Sequence, residues 1–187
     1  MRNKDYDKQN RIKEAMIRLI LRDGIDGTSM SKIAKEAGIS PATIYVYYDS
    51  KEDMLSEVFR EYARKSYDYL MERIHPAMSA NELIEAIVKS YYQFSVENKE
   101  VFSFVEQCSR CPTLSGGFSE KECSCRLLEF IHEYQERGTI HSFCDLNISA
   151  VLFAPVRFLA LNRQWLEREE DVLLDELVCM LQRMLLK

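Results

Sequence analysis

Residues 28–51 read TSMSKIAKEAGISPATIYVYYDSK, and this stretch decides the fold. Two short apolar-periodic segments, 30–37 and 41–48, are separated only by Gly38, Ile39 and Ser40. Thr28 or Ser29 can cap the first segment, and Gly38 stands where a helix wants a left-handed C-terminal residue. Ser40 can cap the second, with Pro41 at the first helical position, where its missing N–H costs nothing. Helix, three-residue turn, helix is the spacing of a helix-turn-helix, whose second helix enters the major groove of DNA. The composition of 41–48 fits that use, because Thr43, Tyr45 and Tyr47 stand where a core helix would carry aliphatic residues. Thr43, with Ala42 beside it, can meet base edges, and tyrosine hydroxyls can reach phosphates. Lys51 adds a cation at the start of the next helix. Ile44 and Tyr48 are left to face a small core with Ile33, Ala34 and Ile39.

Working outward, Ile12, Ala15, Met16, Leu19 and Ile20 share one face of a helix expected over 8–22, ended by Gly24 and Gly27. After Lys51, a capping-box-like start at Ser50 to Asp53 opens a long helix expected to reach residue 74, just before Pro76. Further helices are expected over 82–97, 101–107, 120–137, 148–168 and 172–186, with a break at CPTLSGG, residues 111–117. No window alternates at period 2 long enough to make a convincing strand, so the expected fold class is all-α. It divides into a helix-turn-helix domain, 1–50, and a helical body, 51–187.

Charge follows the same division. The chain of 187 residues carries a formal net charge of -5, yet residues 1–51 hold 10 Lys and Arg against 7 Asp and Glu. The remainder holds 15 against 23. A basic module on an acidic body suits a polyanion partner at one end only, because local potential steers binding whatever the total. With 47% hydrophobic and 29% charged residues and only 6 Gly and 4 Pro, the composition excludes disordered and fibrous classes. The N-terminus lacks an apolar signal segment, and the apolar run 150–161 is interrupted by Pro155 and Arg157 and falls short of the roughly 20 residues that span a bilayer. A cytoplasmic protein without membrane contact is expected.

These residues also carry a resemblance. TSMSKIAKEAGISPATIYVYYDSKEDML, residues 28–55, is similar to the DNA-binding segment of the TetR family of bacterial transcriptional regulators, and the preceding ILRDGIDGTSM fits that family's first helix and turn. Ala42 stands where glycine is frequent. The resemblance implies that Thr28, Tyr45, Tyr47 and Lys51 contact phosphates, that Ser40, Ala42 and Thr43 read or line the groove, and that Pro41 lies against its wall. Downstream it is architectural: six more helices, the last two forming a homodimer interface, with an effector pocket inside the body. VFSFVEQCSRCPTLS, 101–115, has the look of the family's sixth-helix end. The implied function is a dimeric repressor, released from a pseudo-palindromic operator by a small molecule.

Residues 148–161 are apolar on nearly every side, and the last helix has a clean stripe. Val151, Phe158, Leu174, Leu177, Val178 and Leu181 are the expected interface. The aromatic residues Tyr91, Phe94, Phe104, Phe130, Tyr134 and Phe158 are candidate effector contacts, with ordinary core as the alternative. Six cysteines without a signal sequence do not suggest a disulfide framework. Cys108 and Cys111, followed by Cys123 and Cys125, could gather round zinc or sense thiol oxidants, but C-x-C chelates one zinc awkwardly, and packed or free cysteines are the simpler reading. His132 and His141 are too scattered to add a site. Gly-rich phosphate loops, H-E-x-x-H and G-x-S-x-G are absent from the sequence, so no enzyme, cofactor or metal is expected.

Overall fold

The computed structural model describes residues 2–111, 120–165 and 169–187. Nine α-helices lie among them: α1 (Arg2–Asp23), α2 (Met30–Ala37), α3 (Pro41–Ile44), α4 (Lys51–Met71), α5 (Ala80–Glu97), α6 (Lys99–Ser109), α7 (Glu120–Glu136), α8 (Asp145–Leu161) and α9 (Glu170–Leu185). The described residues contain no strand; Ile140 and Leu186 form an isolated antiparallel bridge. The fold is all-α.

The chain forms two packing units, one from residues up to 63 with 100–111, the other from 64–99 with the described residues from 120 onward. Helix α4 contributes to both.

In the first unit, the stripe Ile12, Ala15, Met16, Leu19 and Ile20 is wholly buried, together with Ile33, Ala34, Ile44, Val58 and Phe104. Burying each of these side chains other than the two alanines stabilises the unit by roughly 1.5–3 kcal/mol. The caps act as their residue types dictate. Ser29 accepts from the Lys32 N–H, Ser40 from the Thr43 N–H, and Ser50 from the Asp53 N–H. Gly38 closes α2 at φ 68°, ψ 37°, the left-handed conformation that β-carbons disfavour. Gly27 is required for a different reason, since a β-carbon there would lie 2.2 Å from the carbonyl oxygen of Asp23. Lys13 is nearly buried and pairs with Glu61, while Gln107 of α6 donates to the Ile20 carbonyl at 3.3 Å.

The second helix of the motif is shorter than its sequence pattern. It is α-helical only over Pro41–Ile44, and 45–47 form a turn in which the N–H groups of Tyr47 and Tyr48 both reach the Ile44 carbonyl, at 2.9 and 3.0 Å. Aromatic and β-branched residues at 45–48 have little helix propensity to prolong it.

The second unit buries Leu83, Ile84, Ile87 and Val88 of α5 against Ile148, Leu152 and Val156 of α8 and Leu174, Val178, Leu181 and Leu185 of α9. Ser79 and Glu82 complete a reciprocal capping box at the start of α5, two residues before the expected start. α9 is fixed to α5 by Lys89, 2.9 Å from Asp175, and by Gln182, which donates to the Asn81 carbonyl at 3.1 Å. Arg163, in a 3-10 turn after α8, forks onto Glu170 with two bonds of 2.8 Å, and the buried Tyr92 donates to the same carboxylate at 2.8 Å. The helix expected over 148–168 therefore ends at Leu161, and residues 166–168 lie outside the described residues.

Candidate nucleic-acid interface

The surface built by residues 40–47 stands on two anchors. Ile44 and Tyr48 are buried in the first unit, and Tyr45 and Val46 between them are turned outward. Ser40, Pro41 and Ala42 are exposed, Thr43 is half-buried, and Tyr45 is 57% exposed. The Oγ atoms of Ser40 and Thr43 are 2.8 Å apart, which aligns both hydroxyls at the N-terminal turn of α3. One proton serves that bond, leaving the other to a partner outside the chain. Val46, at 77% exposure, is a purely apolar tip beside these polar groups. Sequence reasoning passed over it because a single valine in a helical pattern ordinarily signals core.

The remaining expected contacts are already engaged within the chain. Tyr47 packs its ring on the first unit's core, and its hydroxyl donates to Asp5 Oδ1 at 3.0 Å; that bond holds the Tyr47 proton more firmly than usual. Lys51 donates to the Ile25 carbonyl at 3.3 Å, and its ammonium also stands 3.9 Å from the Glu52 carboxylate. Thr28 is only 3% exposed, and its hydroxyl donates to the Gly24 carbonyl at 2.9 Å. Of the eight expected residues, Thr28 is the one turned inward.

The six aromatic candidates for an effector site are distributed rather than gathered. Phe104 is in the first unit's core, edge-on to Tyr62 at 6.4 Å. In the second unit Phe94 is buried and edge-on to Tyr69 at 5.4 Å, Tyr91 meets Phe153 at 5.0 Å, and Phe130 packs on the core. Tyr134 is buried and donates to the Met78 carbonyl. Phe158 is 65% exposed.

Phe158 belongs instead to an apolar outer face of α8 and α9. Two adjoining grooves, of about 480 and 370 Å³, share Pro155, Leu177 and Met180; Val151 and Met184 line the larger, and Phe158 and Leu173 the smaller. Leu174, Val178 and Leu181 mainly face the core of their own unit, while Met180 and Met184 are exposed.

Among the cysteines, Cys108 is completely buried, and burial pushes its thiol up to about 12, which keeps it protonated and a poor metal ligand. Cys111 is half-buried, whereas Cys144 and Cys179 are exposed. The side chains of Cys123 and Cys125 lie outside the described residues. Among the described residues no three His, Cys, Asp or Glu side chains could share a metal ion, and no helix is long and apolar enough to cross a membrane.

Capped short helices at helix-turn-helix spacing, with polar and aromatic side chains turned outward, define a helix-turn-helix DNA-binding protein. Comparison with known proteins gives the family. Residues 12–58 match the model described as bacterial regulatory proteins, tetR family. An uncharacterized HTH-type transcriptional regulator of Haemophilus influenzae is 26% identical over 144 residues, covering 75% of this chain and 74% of that protein. The fatty acid metabolism regulator protein of Bacillus subtilis is 31% identical over 85 residues, 46% of this chain and 44% of the relative. A TetR family transcription regulator from Marinobacter aquaeolei shares the fold over 100% of both chains, with TM-score 0.88 and 22% identity. Over residues 12–58 the chain carries the DNA-binding, helix-turn-helix segment of the tetR family of bacterial regulatory proteins.

Proposed function

We propose that this regulator is a cytoplasmic homodimeric repressor, not an enzyme, that binds a pseudo-palindromic operator and leaves it when a small molecule enters the helical body. The observation that carries the DNA reading is the outward surface of residues 40–47 held on buried Ile44 and Tyr48. In this reading residues 1–50 form the DNA-binding domain and 51–187 the effector-binding and dimerisation domain. Ser40, Ala42 and Thr43 meet base edges, Pro41 lies along the groove wall, and Tyr45, Tyr47 and Lys51 hold phosphates. Thr28 serves from behind, bracing the turn that presents α2.

Dimerisation is supported by the apolar outer face of α8 and α9, where Phe158, Met180 and Met184 lie in water in the single chain. Selection of bound duplexes from random DNA tests the reading directly. It should yield an inverted repeat with half-sites about one helical turn, or a multiple of it, apart. Recovery of unpaired or random sequences would refute it. Fatty acids are the first effectors to try on the recovered duplex, because one relative is a fatty acid metabolism regulator protein.

A further inference from the structure

The Tyr47 hydroxyl has one proton to give, and in this structure Asp5 takes it. The two residues are 42 positions apart in sequence, yet Oδ1 of Asp5 lies 3.0 Å from the hydroxyl. A phosphate diester oxygen is also only an acceptor, so Tyr47 cannot serve Asp5 and a phosphate at once. That hydroxyl is the only donor of the side chain, whose ring packs against the first unit's core.

We propose that Asp5 is a built-in competitor for phosphate at Tyr47: a carboxylate on the first helix that occupies the hydroxyl in the free protein and must give it up when DNA docks. The inference rests on the reading of Tyr47 as a phosphate contact and adds a residue that the helix-turn-helix motif itself does not contain. Asp5 costs affinity twice. Its bond to Tyr47 is broken on docking, and its charge then stands close to a polyanion. Neither cost depends on base sequence, because phosphate contacts carry none. Both groups are at the surface, where ionic contacts are weak, so the combined effect is about two- to tenfold in affinity. The firmer hold on the Tyr47 proton agrees with the same geometry.

The test uses the full chain and two duplexes, one carrying the selected operator and one unrelated, with affinities read by fluorescence anisotropy. Wild type, Asp5→Ala, which removes the acceptor that an amide would keep, Tyr47→Phe and the double variant complete a cycle. Asp5→Ala should tighten binding to both duplexes by about two- to tenfold, and most of that gain should vanish when residue 47 is Phe. The penalty for Tyr47→Phe should correspondingly be larger in the Asp5→Ala background than in wild type. Unchanged or weaker binding by Asp5→Ala overturns the proposal, as does an equal gain with Phe at position 47, which would assign the effect to charge alone. If Tyr47→Phe costs nothing even in the Asp5→Ala background, the phosphate reading of Tyr47 falls with it. If it does cost affinity there while Asp5→Ala gains none, only the competitor role falls.

Discussion

The side-chain hydroxyl of Thr28 donates to the carbonyl oxygen of Gly24 at 2.9 Å, tying the residue before α2 to the turn that ends α1. Both partners are within the first unit, and Thr28 is almost inaccessible to solvent. Thr28→Val keeps the shape and leaves the carbonyl short of its donor, a loss of about 1–2 kcal/mol. Urea unfolding should show that loss, while operator affinity of the folded protein changes less than twofold. A protein of unchanged stability with much weaker DNA binding would return Thr28 to the phosphate contacts.

Thr43 and Lys51 separate base reading from phosphate holding. Thr43→Val should alter preference at one base pair per half-site by about 1–3 kcal/mol and leave the salt dependence unchanged. Lys51→Ala should weaken binding to all sequences and flatten the plot of log affinity against log salt by about one unit per half-site. Affinity measured on operator and unrelated duplexes across a salt series distinguishes them. A uniform loss from Thr43→Val, or an unchanged slope from Lys51→Ala, would reject this division of labour.

The outer face of α8 and α9 sets the oligomeric state. Phe158→Asp combined with Met180→Lys should give particles with the 21.9 kDa mass of one chain in sedimentation velocity, still helical by circular dichroism. Leu181→Asp should behave differently, because Leu181 is buried in its own unit and a charge there unfolds the protein. Dimers that survive both exposed charges would place the interface elsewhere.

The Tyr92, Arg163 and Glu170 network makes stability depend on pH. Burial alone would raise the Glu170 pKa, but hydrogen bonds from Tyr92 and Arg163 outweigh it and hold it below the ordinary 4.5. A carboxyl with a lowered folded-state pKa stabilises the fold above 4.5 and loses that contribution as pH falls through the folded value. Glu170→Gln should therefore melt lower than wild type at pH 7, with the two midpoints converging as pH falls through the lowered folded-state value. A constant gap across that range would mean that packing, not charge, accounts for the loss.

Local rules made the motif legible. α2 has the bounds its caps predicted, 30–37, and the stripe from Ile12 to Ile20 is buried as its spacing required. Thr28 was less readable, since a threonine beside a cap looks the same whether its hydroxyl faces a phosphate or a carbonyl. Asp5 was invisible for a related reason: nothing local marks a partner 42 residues away. On α9 the apolar stripe was recognised, but periodicity says that a face is covered and not by what. Leu174, Val178 and Leu181 are covered within the chain, and the residues beside them, Met180 and Met184, bear the outward face.

Two glycines of the motif impose different rules on any sequence that encodes it. Gly38 needs a left-handed backbone but has open space where a side chain would go, so asparagine can replace it at modest cost. Gly27 has no such freedom: any β-carbon there collides with the Asp23 backbone, and asparagine fails as alanine does. A library randomised at both codons and sorted for folded protein should therefore retain a two-letter alphabet at position 38 and a single letter at position 27.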